Sequence, residues 1–86
     1  MIDEDQDRAR LKELVAYLAK ALVDRPDEVT VDVADEDRAW LFELTVDESD
    51  LGTVIGKEGR TARALRTVLA AAAAKIERRA ILEILE

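Results

Sequence analysis

The hydrophobic period of this chain changes at Pro26, and that switch limits the folds open to it. Before the proline, Leu11, Leu14, Val15, Leu18, Leu22 and Val23 recur at spacings of three and four. This is one stripe of an amphipathic helix, running from about Asp7 to Val23. Pro26 stops it near Asp24-Arg25, because proline disfavours helical dihedrals in the residue before it and lacks the amide that would extend the ladder. After the proline, Val29, Val31 and Val33 alternate with Thr30 and Asp32, the pattern of a strand with one apolar face. Asp35-Glu36-Asp37-Arg38 reads as a polar turn. Trp40, Phe42, Leu44 and Val46 then alternate with Leu41, Glu43, Thr45 and Asp47. So short a connection allows only an antiparallel hairpin.

Further on, Ser49 or Asp50 is positioned to cap a short helix whose apolar side is Leu51, Val54 and Ile55, ending at Gly56. A longer helix follows from Arg60 or Thr61 to about Ile76, with Leu65, Val68, Leu69, Ala72 and Ile76 toward the core. Ala70 to Ala74 strengthen it as helix formers. Ala80, Leu82 and Ile84 alternate with Ile81, Glu83 and Leu85 as a last strand, although so short a segment does not exclude a helix by period alone. The order α-β-β-α-α-β implies an α+β fold with a three-stranded mixed sheet and three helices packed on one face. The helical crossover makes the last strand parallel to the second. At 86 residues the chain is expected to form a single domain, 1–86, with residues 1–6 as a frayed acidic N-terminus.

Composition removes several functions. The chain has no Cys and no His, so disulfides, thiolate metal sites and the commonest general base are missing. The twenty carboxylates form no pair beside a nucleophile or a metal-ligand cluster, and the chain reads as a non-enzyme without cofactors. No apolar run approaches a membrane span, and the acidic start lacks the apolar segment of a signal peptide, which fits a cytoplasmic location. A net charge of -7 at first disfavours nucleic acid, whose affinity for proteins comes largely from cations meeting phosphates. The charge is unevenly spread, however. Residues 1–50 hold sixteen acidic against six basic side chains, whereas residues 51–86 hold four against seven.

Within that basic second half stands Val54-Ile55-Gly56-Lys57-Glu58-Gly59-Arg60. Two glycines three apart let the backbone turn sharply and a ligand backbone come close. The loop opens onto the start of the longer helix, whose unpaired amides and dipole favour an anion such as phosphate. Lys57 and Arg60 add full charges, and Arg63 and Arg66 extend the stripe at helical spacing. The spacing does not match the phosphate-binding loop of nucleotide-hydrolysing proteins.

The stretch from Val54 to Leu65, Val-Ile-Gly-Lys-Glu-Gly-Arg-Thr-Ala-Arg-Ala-Leu, resembles the signature of KH domains. The element order is similar to the type II KH arrangement, and nearly the whole chain resembles the KhpA-like (YlqC) family of stand-alone KH proteins. The resemblance implies that the chain binds single-stranded RNA, with Gly56, Lys57, Glu58 and Gly59 clamping the backbone of about four nucleotides. It implies an apolar groove for the bases, with Leu51, Val54, Ile55, Ala62 and Leu65 lining or supporting it. A role as a small RNA chaperone or post-transcriptional regulator goes with it. Glu58 departs from the expected pattern, since its carboxylate faces the phosphates and lowers affinity. Aromatic stacking is scarce: Tyr17, Trp40 and Phe42 all fall at apolar-face positions, and Trp40 and Phe42 are assigned to the core. The alternative is a protein-interaction module of KH fold, since the resemblance also implies a homodimer and a second KH-containing protein of the Jag type as partner. Small side chains at Ala70 to Ala74 would let another helix approach.

Overall fold

The computed structural model describes residues 3–86. Asp3 accepts a hydrogen bond from the Gln6 amide and starts α1, Glu4–Leu22, with Glu4, Asp5 and Asp7 in the first turn, where negative charge suits the helix dipole. The helix therefore begins three residues before the expected Asp7. Of the N-terminus expected to fray, residues 1 and 2 lie outside the described residues and Glu4, Asp5 and Gln6 are helical. Pro26 opens a single 3₁₀ turn, Pro26–Glu28.

Strand β1 spans Thr30–Glu36 and β2 spans Ala39–Thr45, paired antiparallel with Val33 opposite Phe42. The turn expected at residues 35–38 shrinks to Asp37-Arg38, because Arg38 takes a left-handed φ of 65° and Asp35 and Glu36 stay in the ladder. Helices α2, Leu51–Ile55, and α3, Arg60–Ala74, lead to β3, Ala80–Ile84, which pairs parallel to β2 with Phe42 beside Leu82. The sheet order is β1-β2-β3, so β3 is an edge. The mixed sheet and the parallel last strand are as the element order implied.

One face of the sheet carries Val31, Trp40, Phe42, Leu44 and Leu82, and against it pack Leu11, Val15 and Ala19 of α1 with Leu65, Leu69 and Ala73 of α3. Burying each larger aliphatic or aromatic side chain here is worth roughly 1.5–3 kcal/mol, so this layer supplies most of the driving force. Val68, expected in the core, is instead 43% exposed, whereas Ala72 packs against the core as expected and Ala73 beside it is fully buried. Tyr17 likewise leaves the apolar face and is 72% exposed on α1. Over the edge of the core, Arg8 and Arg78 stand 5.4 and 4.9 Å from the Trp40 ring centroid, and Arg8 also binds Asp5 and Asp35 while Arg78 binds Glu4. On the opposite, open face Asp32, Glu43 and Glu83 stand in register across the three strands. Negative charge thus gathers on the side of the sheet away from α2 and α3. Among the described residues no helix is long and apolar enough to cross a membrane.

Candidate nucleic-acid interface

Between α2 and α3 the backbone makes one tight 3₁₀ turn, closed by the Gly59 amide donating to the Gly56 carbonyl at 3.0 Å. Three residues of this loop take positive φ. Gly56 has φ 77° and ψ 169°, Glu58 has φ 56° and ψ 26°, and Gly59 has φ 74° and ψ 14°. The two glycines are needed for different reasons. A Cβ on Gly56 would lie 2.3 Å from Thr61 Oγ1, inside the structure, whereas a Cβ on Gly59 would meet only Arg63 Nη1 at 3.5 Å. Gly56 is packed, and Gly59 faces open space.

Among the described residues no side chain caps the start of α3, and of the amides there Arg60 donates back to the Lys57 carbonyl within the turn. Lys57, Glu58, Arg60 and Arg63 are exposed around that start. Arg60 stands 3.8 Å from Glu58, an exposed pair of little energetic weight. Among the described residues Lys57 and Arg63 form no ion pair. Arg66 is placed differently from the rest of its stripe. Its Nε donates to the Leu82 carbonyl at 3.1 Å, bridging α3 to the edge strand.

The apolar residues divide. Val54, Ala62 and Leu65 are buried and can only support a surface, whereas Leu51 and Ile55 are half-buried and reachable. Leu51 joins Val46 and Leu85 around an open depression of about 490 Å³, bordered by Glu48 and Glu86. Val46 and Leu85 were not expected here; the parallel pairing of β3 with β2 brings them together. Their apolar character was visible in the sequence, but their proximity was not.

Asp50 stands at the N-cap position of α2 but its side chain makes no capping bond there. The side chain that caps is Asp47, at the 3₁₀ turn Glu48–Asp50 that leads into α2, where its carboxylate accepts from the Ser49 amide at 2.9 Å and from the Ser49 hydroxyl. The Ser49 hydroxyl above all, then the Ser49 amide, hold the Asp47 carboxyl below its ordinary range. Asp50 is instead 2% exposed, and its two oxygens accept from the Asp24 amide at 3.1 Å and the Arg25 amide at 3.0 Å. This ties the segment after α1 to the front of α2, and so fixes the element that carries the glycine loop.

A second surface lies on the other side of α3. Leu18, Ala21 and Leu22 of α1 face Thr61, Ala64, Leu65 and Val68 across an apolar groove of about 270 Å³. Leu22 is 41% exposed there beside Val68. Among the described residues no cluster of side chains could hold a metal ion.

Comparison with known proteins bears on this geometry. The family model "KhpA/KhpB, KH domain" matches residues 12–84. The chain is similar to the RNA-binding protein KhpA of Aquifex aeolicus, 51% identical over 76 residues, which is 88% of this chain and 96% of that protein. It is similar to the RNA-binding protein KhpA of Borreliella burgdorferi at 49% identity over 74 residues, covering 86% of this chain and 90% of that one. Among solved structures it resembles a variant of Aquifex aeolicus Era bound to GDP.AlF4-, with a TM-score of 0.62 at 21% identity. That likeness concerns the fold alone, and covers 86% of this chain but 29% of the Era chain.

Proposed function

The chain belongs to the KhpA/KhpB KH-domain family, and on that premise we propose that it binds single-stranded RNA by clamping phosphates at Gly56-Lys57-Glu58-Gly59. One observation carries the reading: the uncapped start of α3 coincides with the glycine turn and with the unpaired cations Lys57 and Arg63. Amides and dipole favour the anion, Gly59 admits its close approach, and Lys57, Arg60 and Arg63 supply charge. The bases then lie toward Ile55, Leu51 and the depression beside Val46 and Leu85. Val54, Ala62 and Leu65 are buried and serve the helices that carry the loop rather than the ligand. The domain works as a binder rather than an enzyme, in the cytoplasm, as an RNA chaperone or post-transcriptional regulator.

Lys57→Asp tests the clamp. The side chain is exposed, so stability should change by no more than ~0.5 kcal/mol. Affinity for a short single-stranded RNA, read by fluorescence anisotropy, should fall roughly tenfold, as expected for losing one charge-assisted contact. With three phosphate contacts the logarithm of affinity should decline against the logarithm of salt with a slope of about -2, becoming about 0.7 shallower in the variant. Unchanged affinity with an intact thermal transition would remove the loop from the RNA site.

A second reading rests on the groove between α1 and α3. We infer that this face, rather than the Ala70 to Ala74 run, pairs the domain with a second copy or with a larger KH-containing protein of the Jag type. Within the alanine run Ala70, Ala71 and Ala74 are exposed at helical spacing, but they offer only methyl groups to bury, less apolar surface than the groove does. Leu22 and Val68 are large, apolar and open beside the small Ala21 and Ala64, which suits close packing of two helices. Light scattering at micromolar concentration should give a dimer mass for the chain and a monomer mass for Val68→Asp, with the fold retained. A monomer at every accessible concentration of the unaltered chain sinks self-pairing.

A further inference from the structure

Single-stranded RNA is held by stacking as well as by phosphate contacts, on aromatic rings or on arginine guanidinium planes. The aromatic side chains of this chain are not available for that. Trp40 and Phe42 are buried in the core, and Tyr17 stands exposed on α1 among Arg10, Glu13 and Lys20 of the same helix. A planar group must come from elsewhere.

Arg66 has the required placement. Strand β3 pairs only with β2, and the Arg79 carbonyl and Leu85 amide both point to that neighbour. Backbone groups of the alternate residues Ala80, Leu82 and Ile84 therefore turn to the open edge. Arg66 reaches across from α3 and donates Nε to the Leu82 carbonyl at 3.1 Å. This bond pins the guanidinium plane while the side chain stays exposed. Arg63, three residues earlier and beside Gly59, has no such anchor, and Arg60 is turned to Glu58. Among the arginines of this stripe only Arg66 presents a plane of fixed orientation, one helical neighbour beyond the phosphate-facing Arg63.

We propose that Arg66 is the base-stacking platform of the interface rather than a phosphate contact, its guanidinium held between α3 and the edge of β3 against the base of the nucleotide that follows the clamp. This rests on the RNA reading above and adds to it a residue that recognises the base. A planar, weakly hydrated guanidinium stacks, whereas an ammonium of the same charge does not.

Arg66→Lys keeps the charge and a donor for the Leu82 carbonyl but removes the plane. With a short single-stranded RNA its affinity should fall about tenfold, the size expected for one stacked base, with the salt slope unchanged. In a series of RNAs carrying one abasic nucleotide, the unaltered protein should lose about tenfold at one position, and that loss should vanish in Arg66→Lys. Equal abasic losses in both proteins overturn the proposal. So does a salt slope about 0.7 shallower in Arg66→Gln, which would make Arg66 a phosphate contact. Failure of the clamp is seen separately, as unchanged binding in Lys57→Asp while the abasic loss still depends on Arg66.

Discussion

Gly56→Ala is expected to lower the thermal midpoint by roughly 8–48 °C, whereas Gly59→Ala, three residues later in the same motif, should lower it by only about 4–16 °C. The conversion uses about 4–8 °C per kcal/mol for a domain of this size. At φ 77° and ψ 169° Gly56 occupies a region essentially reserved for glycine, which costs another residue about 1–3 kcal/mol. The added methyl also lies 2.3 Å from Thr61 Oγ1 and 2.8 Å from the Thr61 amide nitrogen, so the first turn of α3 must move, at a further ~1–3 kcal/mol. Gly59 has ordinary left-handed dihedrals and open space around it, leaving only the ~1–2 kcal/mol of placing Ala there. Gly59→Asn should be milder still, because asparagine visits that region readily. Circular dichroism melting of the three variants checks the order. Equal shifts for Gly56→Ala and Gly59→Ala would refute the distinction between a packed and an open glycine.

Much of this architecture is legible in the sequence because period is a long-range signal that survives local error. The switch from spacing three and four to spacing two at Pro26 separates α1 from the hairpin, and Val31, Trp40, Phe42, Leu44 and Leu82 all fall on the face that alternation assigned them. Boundaries are less legible, for identifiable reasons. Asp3 followed three residues later by Gln6 was a cap signal, overshadowed by the absence of apolar residues in that turn. The hairpin turn contracts because a non-glycine residue, Arg38, accepts a left-handed φ, which no local pattern announces. Val68 and Tyr17 sit at the margins of apolar stripes. Whether a margin is covered depends on where the neighbouring helix lies, and α1 leaves the Val68 side open.

Within the site the same division holds. Glycine spacing and basic residues mark the loop, but the left-handed Glu58 and the bond from Arg66 to Leu82 exist only once α3 and β3 are side by side. Glu58 is held in a left-handed backbone conformation that costs a non-glycine residue energy, and proteins tolerate such local conflicts chiefly at functional sites.

Asp50 is the residue whose role was least visible beforehand and whose loss should be among the costliest. Its neighbours in sequence suggest a helix cap, yet its side chain is 2% exposed and points back to a segment some 25 residues earlier, accepting from the Asp24 and Arg25 amides. Asp50→Ala leaves two part-buried amides without their partner. At about 1–3 kcal/mol for each unsatisfied group, the expected loss is roughly 2–6 kcal/mol, a large part of the stability of a small domain. Asp50→Asn is the sharper test, because each carboxylate oxygen now serves one amide. The asparagine oxygen can satisfy one of them, but its NH₂ must then face the other, donor against donor, so the isostere should recover no more than about half of the loss. Chemical denaturation of the three proteins gives these differences directly, with the slope on denaturant unchanged if the folded state keeps its compactness. An asparagine variant as stable as the unaltered chain would show that the carboxylate does not hold the front of α2 in place. If it does hold it, RNA binding should weaken in Asp50→Asn even at temperatures where the domain remains folded, because the loop carried by α2 loses its anchor to the end of α1.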